Sequence, residues 1–249
     1  MDHKKVITTI PSLKKKELIA AAVSLLIMWA GYHADNNLFS DNVLFSLIVS
    51  LIFIIIGLCT VFPLIWVNRI TGEGISGLGI RRKRIAISLG FSSLLAIWRF
   101  MEIREYFGSK AFLTTILFNA FSIWEVLFIF GWLFTRYKRA FGKIPAIILT
   151  AVSVGIYHIG TLSPSRIAFL CLTVAICGIF YALTENIFTL WPIYWTIGCS
   201  ASTLGSGMEF TMEMVYLSAV TMIVQTMIII CFHIFSKKVI DTNRYSIVA

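Results

Sequence analysis

Long apolar runs separated by short polar clusters pattern this chain from end to end. A run of about 20 apolar residues, wound at about 1.5 Å per residue, crosses the hydrocarbon core of a bilayer. Eight runs approach that length, at residues 18–34, 43–67, 85–100, 111–134, 144–160, 166–183, 187–204 and 214–235. The second and the last are the cleanest. The third, from Ile85 to Arg99, is short and carries Ser and Gly, so it crosses, re-enters or lies at the interface. Losing it as a span reverses the side of every later loop. The pattern predicts an all-α, polytopic membrane helical bundle with about eight transmembrane helices, forming a single membrane domain over 1–249.

Composition agrees: 58% of residues are hydrophobic and 13% charged, about half the charged fraction of a soluble domain. The charges also orient the bundle, because Lys and Arg collect in short cytoplasmic loops. With the N-terminus inside and eight crossings, 17 of the 21 basic residues fall on the cytoplasmic side. They are Lys4, Lys5, Lys14–Lys16, Arg69, Arg81–Arg84, Arg136, Lys138, Arg139, Lys143, Lys237, Lys238 and Arg244. Arg99, Arg104, Lys110 and Arg166 fall outside, with His33, Asp35, Asp41, Glu102, Glu105, Glu209 and Glu213. Both termini are then cytoplasmic. The net charge of +9 follows from topology, and a nucleic-acid partner is not needed to explain it. The charged N-terminus runs into the first apolar segment without an Ala-x-Ala-like cleavage site, which predicts a retained helix. Cys59, Cys171, Cys177, Cys199 and Cys231 lie within apolar runs with no C-x-x-C spacing, which predicts packing residues.

Polar residues inside the spans need a reason, since a charge at mid-bilayer costs about 2.5–3.5 kcal/mol on insertion scales. Glu125 is one such residue, in Ser122-Ile-Trp-Glu125-Val-Leu-Phe-Ile-Phe-Gly131. Thr115, Asn119, Ser122 and Glu125 recur at steps of four, three and three, so on a continuous helix they form one polar stripe. That stripe faces protein or water, with Glu125 either a functional carboxylate or a hydrogen-bonding tie between helices. His158, in Val154-Gly-Ile-Tyr-His158-Ile-Gly160, is the second such residue. Gly155 and Gly160 beside it allow another helix to come close. The basic stretch Thr135–Lys143 is expected to be a short loop making the two helices antiparallel neighbours, so that both side chains point into one cavity.

The order of several motifs carries a resemblance. Leu78-Gly-Ile-Arg-Arg-Lys precedes a helix; Glu125 is followed by Phe128-x-x-Gly131-x-Leu133; an aromatic precedes His158; and Tyr181-x-x-Thr184-x-Asn186-Ile187 precedes another span. Over about residues 75–205 the chain resembles the CPBP (Abi, CAAX-protease-and-bacteriocin-processing) intramembrane proteases. The resemblance implies an eight-helix bundle with a conical cavity, in which a glutamate activates water with help from histidines and an asparagine, and in which a metal is the water's proposed partner. Carried over by register, Glu125 takes the first Glu of the Glu-Glu-x-x-x-Arg-Gly motif, while Val126 and Phe130 stand where the second Glu and the Arg belong. His158 takes the histidine of the second motif, with Val154 in place of its usual Phe. Tyr194 and Gly198 stand where the third motif has His and Asn.

A protein-held metal normally has three or four ligands. Here Glu125 and His158 are the candidate ligands of a divalent metal, and the set is incomplete. The expected chemistry is therefore metal-free: Glu125 takes a proton from water, and His158 orients that water or donates to the oxyanion. Tyr194 is a candidate oxyanion donor, and Ser122 and Asn119 are supporting polar residues. His233, Glu185 and Asn186 are expected to be structural, the last two at a helix start. Trp191-Pro192 is expected to be a kink or an aromatic anchor, Ser202–Gly207 a loop, and Arg81–Arg84 a topology determinant touching lipid headgroups. The resemblance implies as partner a peptide or membrane-anchored protein substrate, cleaved in a bacterial cell membrane. The alternative is a catalytically degenerate protein of that fold, acting in regulation or bacteriocin self-immunity by binding a membrane partner. A transporter with Glu125 as its proton site lacks the inverted repeat that would support it.

Overall fold

The computed structural model of the chain describes residues 3–37, 45–46 and 48–248, with side chains over 13–34, 45–46 and 48–235. Asp41 lies outside the described residues, and the side chains of Lys4, Lys5, Asp35, Lys237, Lys238 and Arg244 lie outside those described. The described residues form helices and turns with no strand. We number the longer helices α1 (His3–Asn37), α2 (Ile48–Ile70), α3 (Ile85–Ile103), α4 (Lys110–Phe121), α5 (Ile123–Phe141), α6 (Lys143–Tyr157), α7 (Pro164–Thr184), α8 (Ile193–Gly205) and α9 (Met212–Val248). Parts of α2 and α5 are wound in the wider π form.

Among the described residues, five helical segments are long and apolar enough to cross a membrane: Leu13–Ala34, Ile48–Ile70, Ile85–Tyr106, Pro164–Thr184 and Met212–Phe235. The bent pair α4 and α5 makes a sixth if it is counted as one span. The third run, extended by a turn to Tyr106, is thus long enough to cross. The fifth and seventh are shorter than expected, since α6 has 15 residues and α8 has 13. At helical rise these span about 22 and 20 Å, less than the roughly 30 Å of a hydrocarbon core.

Burial is arranged as lipid requires. Ile52, Phe53, Ile87, Leu94, Ile97, Leu172, Ile176, Ile179, Ile223, Met227 and Ile230 are exposed, whereas Ser24, Thr60, Ser92, Thr115, Ser200 and Gln225 are buried. Outward Ile and Leu repeated at helical spacing suit acyl chains, and inward hydroxyls and amides tie helices together where water is absent.

The chain divides into two compact units, Met1–Leu58 with Ile129–Leu183, and Cys59–Phe128 with Thr184–Ala249. In the first, α1 turns Glu17, Ala20, Ala21, Ser24 and Met28 inward. The small residues admit α5, whose Trp132 indole donates to Ser24 Oγ (2.9 Å). One turn on, Arg136 donates to Glu17 Oε2 (2.7 Å) and Arg139 to Glu17 Oε1 (3.0 Å). The Arg136 guanidinium also sits 4.9 Å from the Trp132 ring centroid. These residues correct the expected loop at Thr135–Lys143: the helix continues to Phe141, and Arg136 is a fully buried ion-pair partner. The reversal into α6 is made at Gly142, at φ 90° and ψ −179°. That conformation is essentially confined to glycine. Gly142→Ala is therefore expected to lower stability by about 1–3 kcal/mol. Gly90→Ala, on α3 with open space around the added Cβ, is expected to be neutral or stabilising by up to about 1 kcal/mol. Thermal melts of the two variants in one detergent compare them.

Gly155 of α6 behaves as its sequence suggested, since a Cβ there would lie 2.7 Å from Cys171 Sγ on α7. In the second unit α3, α4, α8 and α9 pack on one another through small and polar residues. Arg99, expected in an outer loop, is instead buried on α3. It donates to Gly198 O (2.8 Å), to Ser202 Oγ and to Glu102 Oε2 (2.5 Å). Ser202–Gly205, expected in a loop, belong to the last turn of α8. The five cysteines form no disulfide; Cys59 and Cys177 are buried, while Cys231, expected to be buried, is exposed.

Candidate functional site

The fourth apolar run is not one helix. It stops at Phe121, bends by 43° and restarts at Ile123, so the stripe Thr115–Asn119–Ser122–Glu125 is interrupted at its third member. A helix end leaves its last carbonyls without intrahelical donors, which lipid cannot supply. Here the chain supplies them. The Ser122 hydroxyl donates to Phe118 O (2.9 Å), and so does the Ser218 hydroxyl of α9 (3.1 Å). The Ser122 backbone N–H donates to Asn119 O (3.2 Å), and the Trp191 indole donates to Ala120 O (2.9 Å). Trp191 is thus a tie to the broken helix, next to the cis Trp191–Pro192 peptide that leads into α8. Trp191→Phe keeps the ring and removes the donor. It is expected to cost about 1–3 kcal/mol, the penalty for a buried unsatisfied carbonyl, read as a lower melting temperature in detergent.

Glu125 lies in the first turn of α5, where a carboxylate is matched to the exposed N–H groups and positive end of the helix dipole. It is partly exposed, while Val126, Leu127 and Phe128 after it are fully buried. The Cys59 thiol of α2 lies within electrostatic reach of the Glu125 carboxylate. Beside Cys59, Thr60 Oγ1 accepts from Gln225 Nε2 of α9 (2.7 Å). Gln225 Oε1 is buried with no hydrogen-bond partner among the described residues.

Asn119 and Ser122 are buried and face protein, as a polar stripe must. Asn119 Nδ2 donates to Thr115 O (2.9 Å) and Ser200 Oγ (3.1 Å), and Ser122 Oγ lies 3.4 Å from Ser218 Oγ. Tyr194 is buried in the first turn of α8, its backbone N–H donating to Ser92 Oγ (3.0 Å) and its ring lying over Gly198. Asn186 is a cap, as expected: its Oδ1 accepts from the Phe188 N–H (3.3 Å). Sequence reasoning missed Ser218, Thr221 and Gln225, three buried polar residues of α9. Their signal was present as steps of three and four in the last apolar run.

His158 belongs to the first unit, whereas Glu125, Ser122, Asn119 and Tyr194 belong to the second. It caps the C-terminus of α6, and its carbonyl accepts from the N–H groups of Thr161 (3.1 Å) and Leu162 (3.2 Å). Its ring is buried against Tyr157, centroids 4.4 Å apart, and meets Tyr32 of α1 edge-on at 5.0 Å. Its Nδ1 is buried with no hydrogen-bond partner among the described residues.

The chain matches no family model, and neither the curated proteins nor the solved structures give a significant match. A metal does not fit the residues present: among the described residues no three His, Cys, Asp or Glu side chains gather as ligands. Two ligands fall short of the usual three or four. What the second unit offers is a partly exposed carboxylate in the first turn after a helix break whose free carbonyls are met by hydroxyl and indole donors.

Proposed function

We propose that this protein is an intramembrane endopeptidase of the CPBP/CAAX-protease type in a bacterial cell membrane, acting on a peptide or membrane-anchored protein. In this reading the eight helical runs cross the membrane, the short α6 and α8 with local thinning of the bilayer, and both termini are cytoplasmic, the arrangement that gathers 17 of the 21 basic residues on one side. Glu125 takes a proton from a water molecule as that water attacks the scissile carbonyl, then returns it to the leaving amine. His158 is the second residue to which the motif order assigns a catalytic role, and Tyr194 is an oxyanion donor. The observation that carries the reading is the break at Ser122: irregular backbone at membrane depth is tolerated where it is buried in protein or lines a polar cavity, and Glu125 follows it directly.

A second reading, a non-catalytic protein of similar architecture that binds a membrane partner in regulation or self-immunity, is favoured by two positions. Val126 and Phe130, standing where the protease motif has its second Glu and its Arg, are fully buried apolar residues. Complementation of a deletion strain separates the two. Glu125→Gln and His158→Ala, at wild-type protein levels, are each expected to fail to restore the phenotype. Full complementation by both overturns the protease reading.

A further inference from the structure

The four consecutive basic residues Arg81–Arg84 lie in the connection between two candidate spans, Ile48–Ile70 and Ile85–Tyr106. In a bundle, that connection sits at headgroup level. A run of like charge is usually a mobile, solvated segment, but this one is fixed on several sides. Asn186 Nδ2 donates to Arg81 O (2.8 Å) and to Lys83 O (3.1 Å), and the Ile187 N–H donates to Gly79 O (3.0 Å). Arg81 is drawn out of the cluster by Glu185 (3.3 Å) and by Ser76 O (3.2 Å). Arg84 takes a left-handed φ of 65°, and its carbonyl accepts the Ser88 N–H of α3 (2.9 Å).

The side chains of Arg82, Lys83 and Arg84 are left exposed on this pinned turn. The nearby acid Glu73 is exposed on the same connection, and Glu185 is engaged by Arg81. The cluster also sits at the N-terminus of α3, whose first turn holds no acidic residue and which has no side-chain cap. Positive side chains at the positive end of a helix dipole repel it, and a bound anion would relieve both.

We propose that the turn Arg81–Arg84 is a built binding site for the phosphate of an anionic phospholipid headgroup, held in shape by Asn186. Pinning removes the ordering cost that a flexible basic segment would meet on binding. Each basic residue near a membrane surface contributes about fivefold to attraction for anionic lipid.

Native mass spectrometry of the full chain, released from nanodiscs of mixed phosphatidylglycerol and phosphatidylcholine, tests the site. Wild type is expected to retain phosphatidylglycerol selectively. The triple variant Arg82→Gln/Lys83→Gln/Arg84→Gln, all at exposed positions, is expected to lose that selectivity by on the order of a hundredfold. Asn186→Ala, which keeps every charge, is expected to lose about fivefold. Unchanged selectivity in the triple variant overturns the site. Wild-type selectivity in a folded Asn186→Ala protein overturns the claim that it is built, leaving diffuse charge. Displacement of the retained lipid by excess inorganic phosphate overturns the assignment to lipid.

Discussion

Glu17→Gln is expected to destabilise the protein by about 3–5 kcal/mol, the range found when one member of a buried ion pair is removed. Glu17 and Arg136 are 1% and 0% exposed, and Glu17 holds Arg139 as well. Removing the carboxylate takes from the buried Arg136 the charge it pairs with at 2.7 Å. The Trp132 ring beside Arg136 supplies only a cation–π contact worth about 0.5–2 kcal/mol. Removing both charges, in Glu17→Met/Arg136→Met, is expected to recover most of the loss, because apolar residues of similar size often replace a buried pair at little cost. Thermal unfolding in detergent, with the two single variants beside the double, checks the coupling. Equal losses in single and double variants would show that the pair contributes through packing alone.

Under the proposed protease function, Glu125→Gln is expected to reduce proteolysis by about 10²–10⁴-fold, the usual contribution of a positioned general base. The amide keeps the size and position of the carboxylate at the start of α5, so the break at Ser122 and its carbonyl donors are expected to persist. The melting temperature should therefore move far less than in Glu17→Gln. The two substitutions each remove one carboxylate: one is expected to lose structure and keep its chemistry per folded molecule, the other the reverse. Product formed per folded molecule, quantified by mass spectrometry of the cleaved peptide, separates them.

The helical membrane bundle was legible because run length and apolarity are local properties. The break in the fourth run was not, because Ser122 sits in register with Thr115, Asn119 and Glu125, and nothing nearby forbids a continuous helix. It is stabilised by Trp191 and Ser218, partners far along the chain. Arg136 was misplaced for a related reason. A basic residue beside other basic residues suggests a loop, whereas pairing with Glu17 of α1, distant in sequence, makes its burial tolerable. The inward stripe Ser218–Thr221–Gln225 was legible in principle but was masked by the strong apolarity around it. Of the candidate site, the sequence indicated Glu125 and its polar neighbours Asn119 and Ser122. It did not reveal that Glu125 opens a new helix, since that depends on the break.

The most direct test of Glu125 as a water-activating residue is a comparison of protein N-termini in membranes from cells carrying wild type, Glu125→Gln or His158→Ala at matched levels. Hydrolysis of a peptide bond creates a new N-terminus. A defined set of internal N-termini, present with wild type and lost with both variants, is the predicted result. An identical set in all three would contradict it.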